Sequence, residues 1–369
     1  MSSRERSTAV DMVRLMALLG ICVVNMPFIA LPVEAVLSLP PDLADRLALM
    51  LVELLFQAKF FLLFSFIFGW GMEVQSQSAL RAGASFNRRF ARRLAMLALL
   101  GVLHVTLVFV GDILLLYAIL GLIAWPLRHV SPRRLLCLSA VLVLLGIPVL
   151  LGFLVLVGAE MGAMASPDLG GSYIDTVKAR LQEWPQAFLF LVLFQGPLAL
   201  AAFLAGIAGA RSGFFEPDNT LRNRLVRLLP GLWLGGLALN ITYVIGSTVS
   251  NQLESELWVL VGICTVVVGA PLLATAYLVT ITLLAERWRL PDLLLLAGRN
   301  SLSCYVLQGI IAGALFGGYG LGWYNSVGLA ALLPLSLLVA TVSILIVGVY
   351  ARRYGMGPLE ALLRRVTYG

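Results

Sequence analysis

The sequence is short of charge and nearly empty of the residues that build soluble catalytic or metal sites. Only 12% of its residues are charged, against about a quarter in an ordinary soluble chain, which excludes a water-facing enzyme of normal surface. Histidine occurs twice and cysteine four times in 369 residues. Cys22, Cys137, Cys264 and Cys304 all lie in apolar runs without a C-x-x-C pair, so neither a disulfide framework nor a metal site is expected. The net charge of +7 is spread in small clusters between apolar runs instead of gathered in one domain, so no nucleic-acid partner is expected either. What fills the chain is hydrophobic: 60% of residues, with a mean hydropathy of +0.96. These values describe an all-α, polytopic integral membrane bundle, because helices satisfy their own backbone in lipid.

A span needs about 20 mostly apolar residues. Ten such runs occur, near 10–31, 47–71, 94–110, 113–127, 135–158, 186–210, 228–250, 258–285, 301–317 and 328–350. The third and fourth are short and separated by Gly111 and Asp112, which predicts a tight helical hairpin, with one long kinked helix as the alternative. Cytoplasmic loops retain Lys and Arg. With both termini cytoplasmic, the inner segments collect most of the 26 Lys and Arg, including Arg4, Arg6, Arg14, Arg88, Arg89, Arg92, Arg93 and Arg299, whereas the outer segments hold only Arg46, Lys178 and Arg180. The first run reads as a retained signal anchor. The longest loop, about 159–185, is expected to be external, with an amphipathic stretch near Asp175 to Trp184 lying on the interface as a lid. The whole chain, 1–369, reads as one transmembrane domain. No internal repeat is visible, which argues against a transporter of two related halves.

Ionisable and other polar groups at membrane depth are costly and mark interiors or wet cavities. They are Asp11, Arg14 and Asn25 on span one, Glu53, Gln57 and Lys59 on span two, His104 on span three, Asp112 at the hairpin, Gln195 on span six, and Ser303, Tyr305 and Gln308 on span nine. In the expected topology Asn25, Glu53 and His104 fall in the outer half, capped by Asp112. Glu53 and Gln57, four apart, would share a helical face, and one site would form if the faces of spans one, two and three converge. His104 is the natural general base, while a merely structural ring bonded to a neighbouring helix is the plain alternative. Asp112 either orients that ring or caps span four. His129, among Arg128, Arg133 and Arg134, sits in a basic inner loop.

Several motifs carry a resemblance. Arg6, Asp11, Arg14 and Asn25 open the chain, Phe64 through Gly69 to Gly71 follow, then Leu103-His104 with Gly111-Asp112 and Tyr117, Gly298-Arg299-Asn300 with Tyr305 and Gln308, and finally Gly357-Pro358-Leu359-Glu360 with Arg364. In this order they resemble the YeiB-like family, domain of unknown function 418, across the whole chain, with the family's C-terminal region at about 228–369. That family is similar, more distantly, to the transmembrane acyltransferases, including the acyltransferase-3 proteins and the lysosomal heparan glucosaminide N-acetyltransferase. Where acyltransferase-3 proteins have a first-span histidine, this chain has Asn25, and Leu15 replaces the glycine that follows the first-span Arg.

The resemblance implies transfer of an acyl group from cytosolic acyl-CoA, acetyl-CoA being the simplest donor, to an extracytoplasmic hydroxyl or amine acceptor. His104 would then be the base, Asp112 or Glu53 its orienting partner, and Asn25 the oxyanion donor. Arg14, Arg88, Arg89 and Arg299 would hold donor phosphates, and Gln57, Lys59, Tyr305 and Gln308 would line the substrate path. No metal is called for. The expected location is the bacterial cytoplasmic (inner) membrane, among membrane lipids, with homo-oligomerisation left open. The rival reading is a proton-coupled transporter or lipid flippase, with Glu53, Lys59, His104 and Asp112 along a polar path.

Overall fold

The computed structural model describes residues 3–161, 169–253 and 256–369, and the side chains of 8–153, 169–248 and 257–369. The side chains of Arg4 and Arg6, and the middle of the long loop, fall outside the described residues. Among those described, every regular element is helical: α1 (Ser3–Ala30), α2 (Val33–Leu37), α3 (Leu43–Leu55), α4 (Lys59–Arg81), α5 (Phe86–Leu107), α6 (Leu114–Leu127), α7 (Pro132–Met161), α8 (Tyr173–Phe190), a π-helical turn (Leu191–Gln195), α9 (Gly196–Ser212), α10 (Thr220–Leu253), α11 (Glu256–Arg287), α12 (Asp292–Arg299), α13 (Ser301–Phe316), α14 (Leu329–Tyr354) and α15 (Pro358–Tyr368).

Among the described residues, eight helical segments are long and apolar enough to cross a bilayer: Thr8–Ala30, Leu43–Arg81, Phe86–Leu107, Pro132–Phe153, Tyr173–Ser212, Thr220–Thr248, Leu257–Arg287 and Leu329–Tyr354. The shorter apolar helices α6 and α13 occupy the places of the fourth and ninth runs. At about 1.5 Å per residue they reach only about 21 and 24 Å, less than a hydrocarbon core of about 30 Å. At least one end of each therefore lies at membrane depth. The connection before α6 is accordingly enclosed, with Phe109, Asp112 and Ile113 buried, the one condition under which irregular backbone is tolerated there.

The bundle is organised around α1, whose membrane window is 61% buried, compared with 11% for α10. It packs against α4, α11, α12, α13 and α14. Peripheral helices turn leucine and isoleucine outward, Leu144, Leu145, Leu234 and Ile245 among them, as lipid-facing surfaces require. Where α4 crosses α9, a side chain on Gly69 would fall 2.0 Å from the Phe203 carbonyl, and one on Gly206 2.0 Å from that of Phe66. Small residues here let two backbones approach directly.

The α5–α6 connection is a hairpin and not a kinked helix. At its open end Trp125 Nε1 donates to Asn87 Oδ1 at 3.0 Å, and near its closed end Gly101 has room for no Cβ, which would sit 2.5 Å from the Leu115 nitrogen.

Span two departs from expectation. Its helix stops at Leu55 and restarts at Lys59, with Ala58 at φ +66°. Glu53 and Gln57 therefore do not share a helical face: Gln57 belongs to the break. The amphipathic stretch near Asp175 to Trp184 is indeed helical. It forms part of α8, which continues through the π turn into α9, and it buries Thr176, Ala179 and Arg180 along one face.

Candidate functional site

His104 occupies the last turn of α5, where the chain tightens: its carbonyl accepts from Val108 N at 2.8 Å and Phe109 N at 2.9 Å. The turn that follows brings Asp112 back beneath the ring. Asp112 Oδ2 accepts from Leu114 N at 2.8 Å, capping α6, while Oδ1 pairs with His104 Nδ1 at 2.9 Å and accepts from Tyr305 Oη at 3.0 Å. Asp112 thus bonds the first residue of α6 through one carboxylate oxygen and the His104 ring through the other. His104 is 3% exposed and Asp112 fully buried.

This arrangement sets the imidazole tautomer. A carboxylate only accepts, so Nδ1 carries a proton and donates it to Asp112. A neutral ring then keeps its lone pair on Nε2. That atom is buried and has no partner among the described residues, and His104 lines a narrow cavity of about 20 Å³, room for a water-sized group. The walls are Cys22, Asn25, Met26 and Ile29 of α1, His104 and Phe109, and Tyr305, Gln308, Gly309 and Ala312 of α13.

Asn25 and His104 therefore share one chamber, together with Tyr305 and Gln308. Gln308 Nε2 donates to the Leu18 carbonyl at 3.5 Å, and its Oε1 is buried without a partner among the described residues. Tyr305 and His104 stack obliquely, ring centres 5.0 Å apart. Cys22 donates its thiol hydrogen to the Ser336 carbonyl at 3.4 Å.

Span two contributes nothing to these walls, so the expected convergence of spans one, two and three is corrected to spans one, three and nine. Glu53 instead accepts from Ser247 Oγ at 3.0 Å and Tyr243 Oη at 3.4 Å, both on α10. Lys59, fully buried, donates to the Glu53 carbonyl at 2.7 Å. The break explains this: an ammonium at the end of α3 satisfies a carbonyl that the interrupted helix leaves free. Glu53 does not touch His104, and Gln57 is half-buried beside the break.

Arg14 and Arg299 meet at the opposite end of α1. Asp11 takes Arg14 at 3.6 Å and Arg299 at 2.5 Å. Arg89 stacks on Tyr368 of α15, 4.9 Å from the ring centre, and Arg88 is exposed on the first turn of α5. The C-terminal motif builds the floor of this end. Glu360 accepts from Leu302 N at 2.8 Å, Ser303 N at 3.1 Å and Ser303 Oγ at 2.5 Å, and Asn300 Oδ1 accepts from Gly357 N at 2.6 Å. Each helix start thus caps the other, α13 against α15.

Cys22, Phe109 and Gly309 line the chamber without having been singled out in the sequence. Cys22 lies one helical turn before Asn25, so the 3.6-residue period alone puts it on that face. Gly309 had no such signal. A Cβ there would sit 2.6 Å from Val108 Cγ1 and 3.1 Å from His104 Nε2; its bare Cα is what lets α13 close over the ring.

Residues 209–369 match the model of a family described as "Protein of unknown function (DUF418)". The chain is also similar to the uncharacterized protein YxaH of Bacillus subtilis (strain 168), 29% identical over 399 residues that cover 99% of this chain and 95% of that one. The uncharacterized protein YeiB of Escherichia coli (strain K12) is 27% identical over 395 residues, covering 98% and 96%. No solved structure matches the chain. With its apolar spans and these matches, the chain is a multi-pass membrane protein whose residues 209–369 match the DUF418 family model and which is homologous over nearly its full length to YeiB and YxaH.

Proposed function

We propose that this protein is a membrane-embedded acyltransferase that moves an acyl group from cytosolic acyl-CoA to a hydroxyl or amine acceptor on the other side of the membrane. One observation carries the reading: a buried His104–Asp112 pair whose free Nε2 faces a cavity shared with Asn25. Such a pair is a general base with its tautomer held. In the proposed step Nε2 takes the acceptor's O–H or N–H proton as that oxygen or nitrogen attacks the thioester carbonyl. The Asn25 amide donates to the developing oxyanion. The C–S bond then breaks, and the CoA thiolate leaves with the proton returned from His104. Asp112 holds the ring from outside the chamber, and Tyr305, bonded to the same carboxylate, forms part of the chamber wall.

The basic end fits the donor's phosphates. Arg14 and Arg299 both pair with Asp11, and Arg88 and Arg89 lie on the first turn of α5. From Arg14 to Asn25, α1 rises about 16 Å, a separation suited to an extended phosphopantetheine arm. The arginine excess at this end supports a cytoplasmic location for both termini, in the cytoplasmic membrane of a bacterium.

The test is purified protein with labelled acetyl-CoA in lipid nanodiscs, read as release of free CoA thiol and of labelled product. His104→Ala should abolish both in a folded protein, and retained activity removes His104 from the mechanism. A transporter or flippase reading draws on another buried polar group, Lys59 with Glu53, Tyr243 and Ser247. That reading requires solute flux without consumption of the donor, and loss of flux in Lys59→Met.

A further inference from the structure

Adjoining the His104 chamber is a second narrow cavity of about 20 Å³ that shares Ile29 and Phe109 with it. Its walls are apolar and aromatic, including Phe28, Val108 and Tyr319, with one exception: the guanidinium of Arg180. Arg180 is 4% exposed and belongs to the buried face of α8. Its Nη1 donates to the Leu107 carbonyl at 3.0 Å, one turn of α5 beyond His104. The same carbonyl already accepts from Tyr173 Oη at 3.0 Å, so closing the end of α5 does not require a guanidinium.

A guanidinium has five N–H donors in a fork suited to carboxylate or phosphate. Here one donor is engaged, by a neutral carbonyl, and among the described residues no carboxylate lies within ion-pair distance of Arg180. Glu183, a turn further along α8, makes no ion pair with it, and Asp175 pairs with Lys178 at 3.9 Å. Buried cations are normally paired. We infer that Arg180 binds an anionic group, phosphate or carboxylate, of an amphiphilic ligand whose apolar part lies against Phe28, Val108 and Tyr319. Naming that ligand the acceptor rests on the acyl-transfer reading: anchored at Arg180, it would present its nucleophile to Nε2 one helical turn below.

Two binding arms use the full-length protein in phosphatidylcholine nanodiscs. One adds labelled glycerol 3-phosphate in solution; the other includes phosphatidylglycerol in the disc and counts bound lipid by native mass spectrometry. The wild type is expected to bind one equivalent in at least one arm, and the arm that responds tells a soluble anion from a lipid headgroup. Arg180→Gln should weaken that binding at least tenfold, and Arg180→Lys by less. Tyr173→Phe removes the other tie to Leu107 without touching the charge and should bind as the wild type does. Arg180→Lys carries the test should the Gln variant not fold. No binding in either arm, or equal weakening by Tyr173→Phe and Arg180→Gln, overturns the inference. His104→Ala should bind normally. Anion binding in a wild type devoid of acyl transfer would overturn the acyltransferase reading and leave this site standing, whereas acyl transfer indifferent to Arg180→Gln with no anion bound would do the reverse.

Discussion

Asp112 Oδ1 lies 2.9 Å from His104 Nδ1 and receives Tyr305 Oη at 3.0 Å, so a single carboxylate oxygen holds α5 and α13 in register around one imidazole. Asp112→Asn preserves size but can turn an N–H toward Nδ1, which favours the wrong tautomer. In triad enzymes that change costs about 10⁴ in turnover. CoA release by Asp112→Asn should accordingly fall at least a hundredfold, close to the level of His104→Ala. If the Asn variant keeps more than a tenth of wild-type rate, Asp112 serves only as the α6 cap.

Tyr305 acts at one remove. Tyr305→Phe deletes one hydrogen bond and leaves the His104–Asp112 contact intact, so about 1 kcal/mol of stability should go, with a fall in turnover of tenfold or less. Thermal unfolding and CoA release measured on the same preparation check both. A loss as complete as that of His104→Ala would make the phenol a proton carrier and not a positioning group.

Cys22 separates direct transfer from an acyl-enzyme route. Its thiol donates to the Ser336 carbonyl, and it stands in the same chamber as His104. With proton transfer straight from acceptor to Nε2, Cys22→Ala should keep activity within about threefold, and no acyl group should be found on the protein by intact mass. A Cys22-dependent mass adduct after incubation with acetyl-CoA would replace the direct mechanism by a two-step one.

The spans were legible because hydropathy at membrane depth admits little else, and the hairpin was legible because Gly111-Asp112 interrupts two runs too short to merge. The pairing of His104 with Asp112 could be anticipated for the same reason: eight residues apart across a tight turn, they have few other partners. What the pattern hid was tertiary. Nothing in an apolar run from 47 to 71 marks Ala58 as left-handed, and this one dihedral takes Glu53 and Lys59 away from the chamber and hands them to α10. The role of Tyr305 was equally hidden, since it comes 193 residues after its partner. Arg180 read as an ordinary outer-loop cation until α8 was seen to bury it.

The C-terminal motif makes an architectural prediction. Glu360 satisfies Leu302 N, Ser303 N and Ser303 Oγ at the start of α13. Glu360→Ala leaves those donors without that acceptor, at a cost of about 1–3 kcal/mol, so the melting temperature in detergent should drop by several degrees. Any fall in turnover should track the folded fraction. Glu360→Gln keeps one acceptor oxygen and should recover part of the loss. A variant that melts like the wild type yet binds acetyl-CoA poorly would instead place Glu360 in donor recognition.

Gly309 tests whether the space beside Nε2 is where chemistry happens. A methyl group at this position would come 3.1 Å from Nε2 and 2.6 Å from Val108 Cγ1. The valine lies beside the non-helical link before α6 and has room to shift, whereas the imidazole is held on its other edge by Asp112. Crowding therefore falls on the volume the acceptor must occupy. Gly309→Ala should destabilise by about 1–3 kcal/mol from overpacking and cut turnover far more than that change explains at a temperature where the protein is folded. On the proposed reading the donor's phosphates bind at the far end of α1, so binding of acetyl-CoA should be nearly unchanged. Loss of donor binding together with turnover would mean that α13 had moved as a whole, and turnover at the wild-type rate would mean that the acceptor approaches His104 from elsewhere.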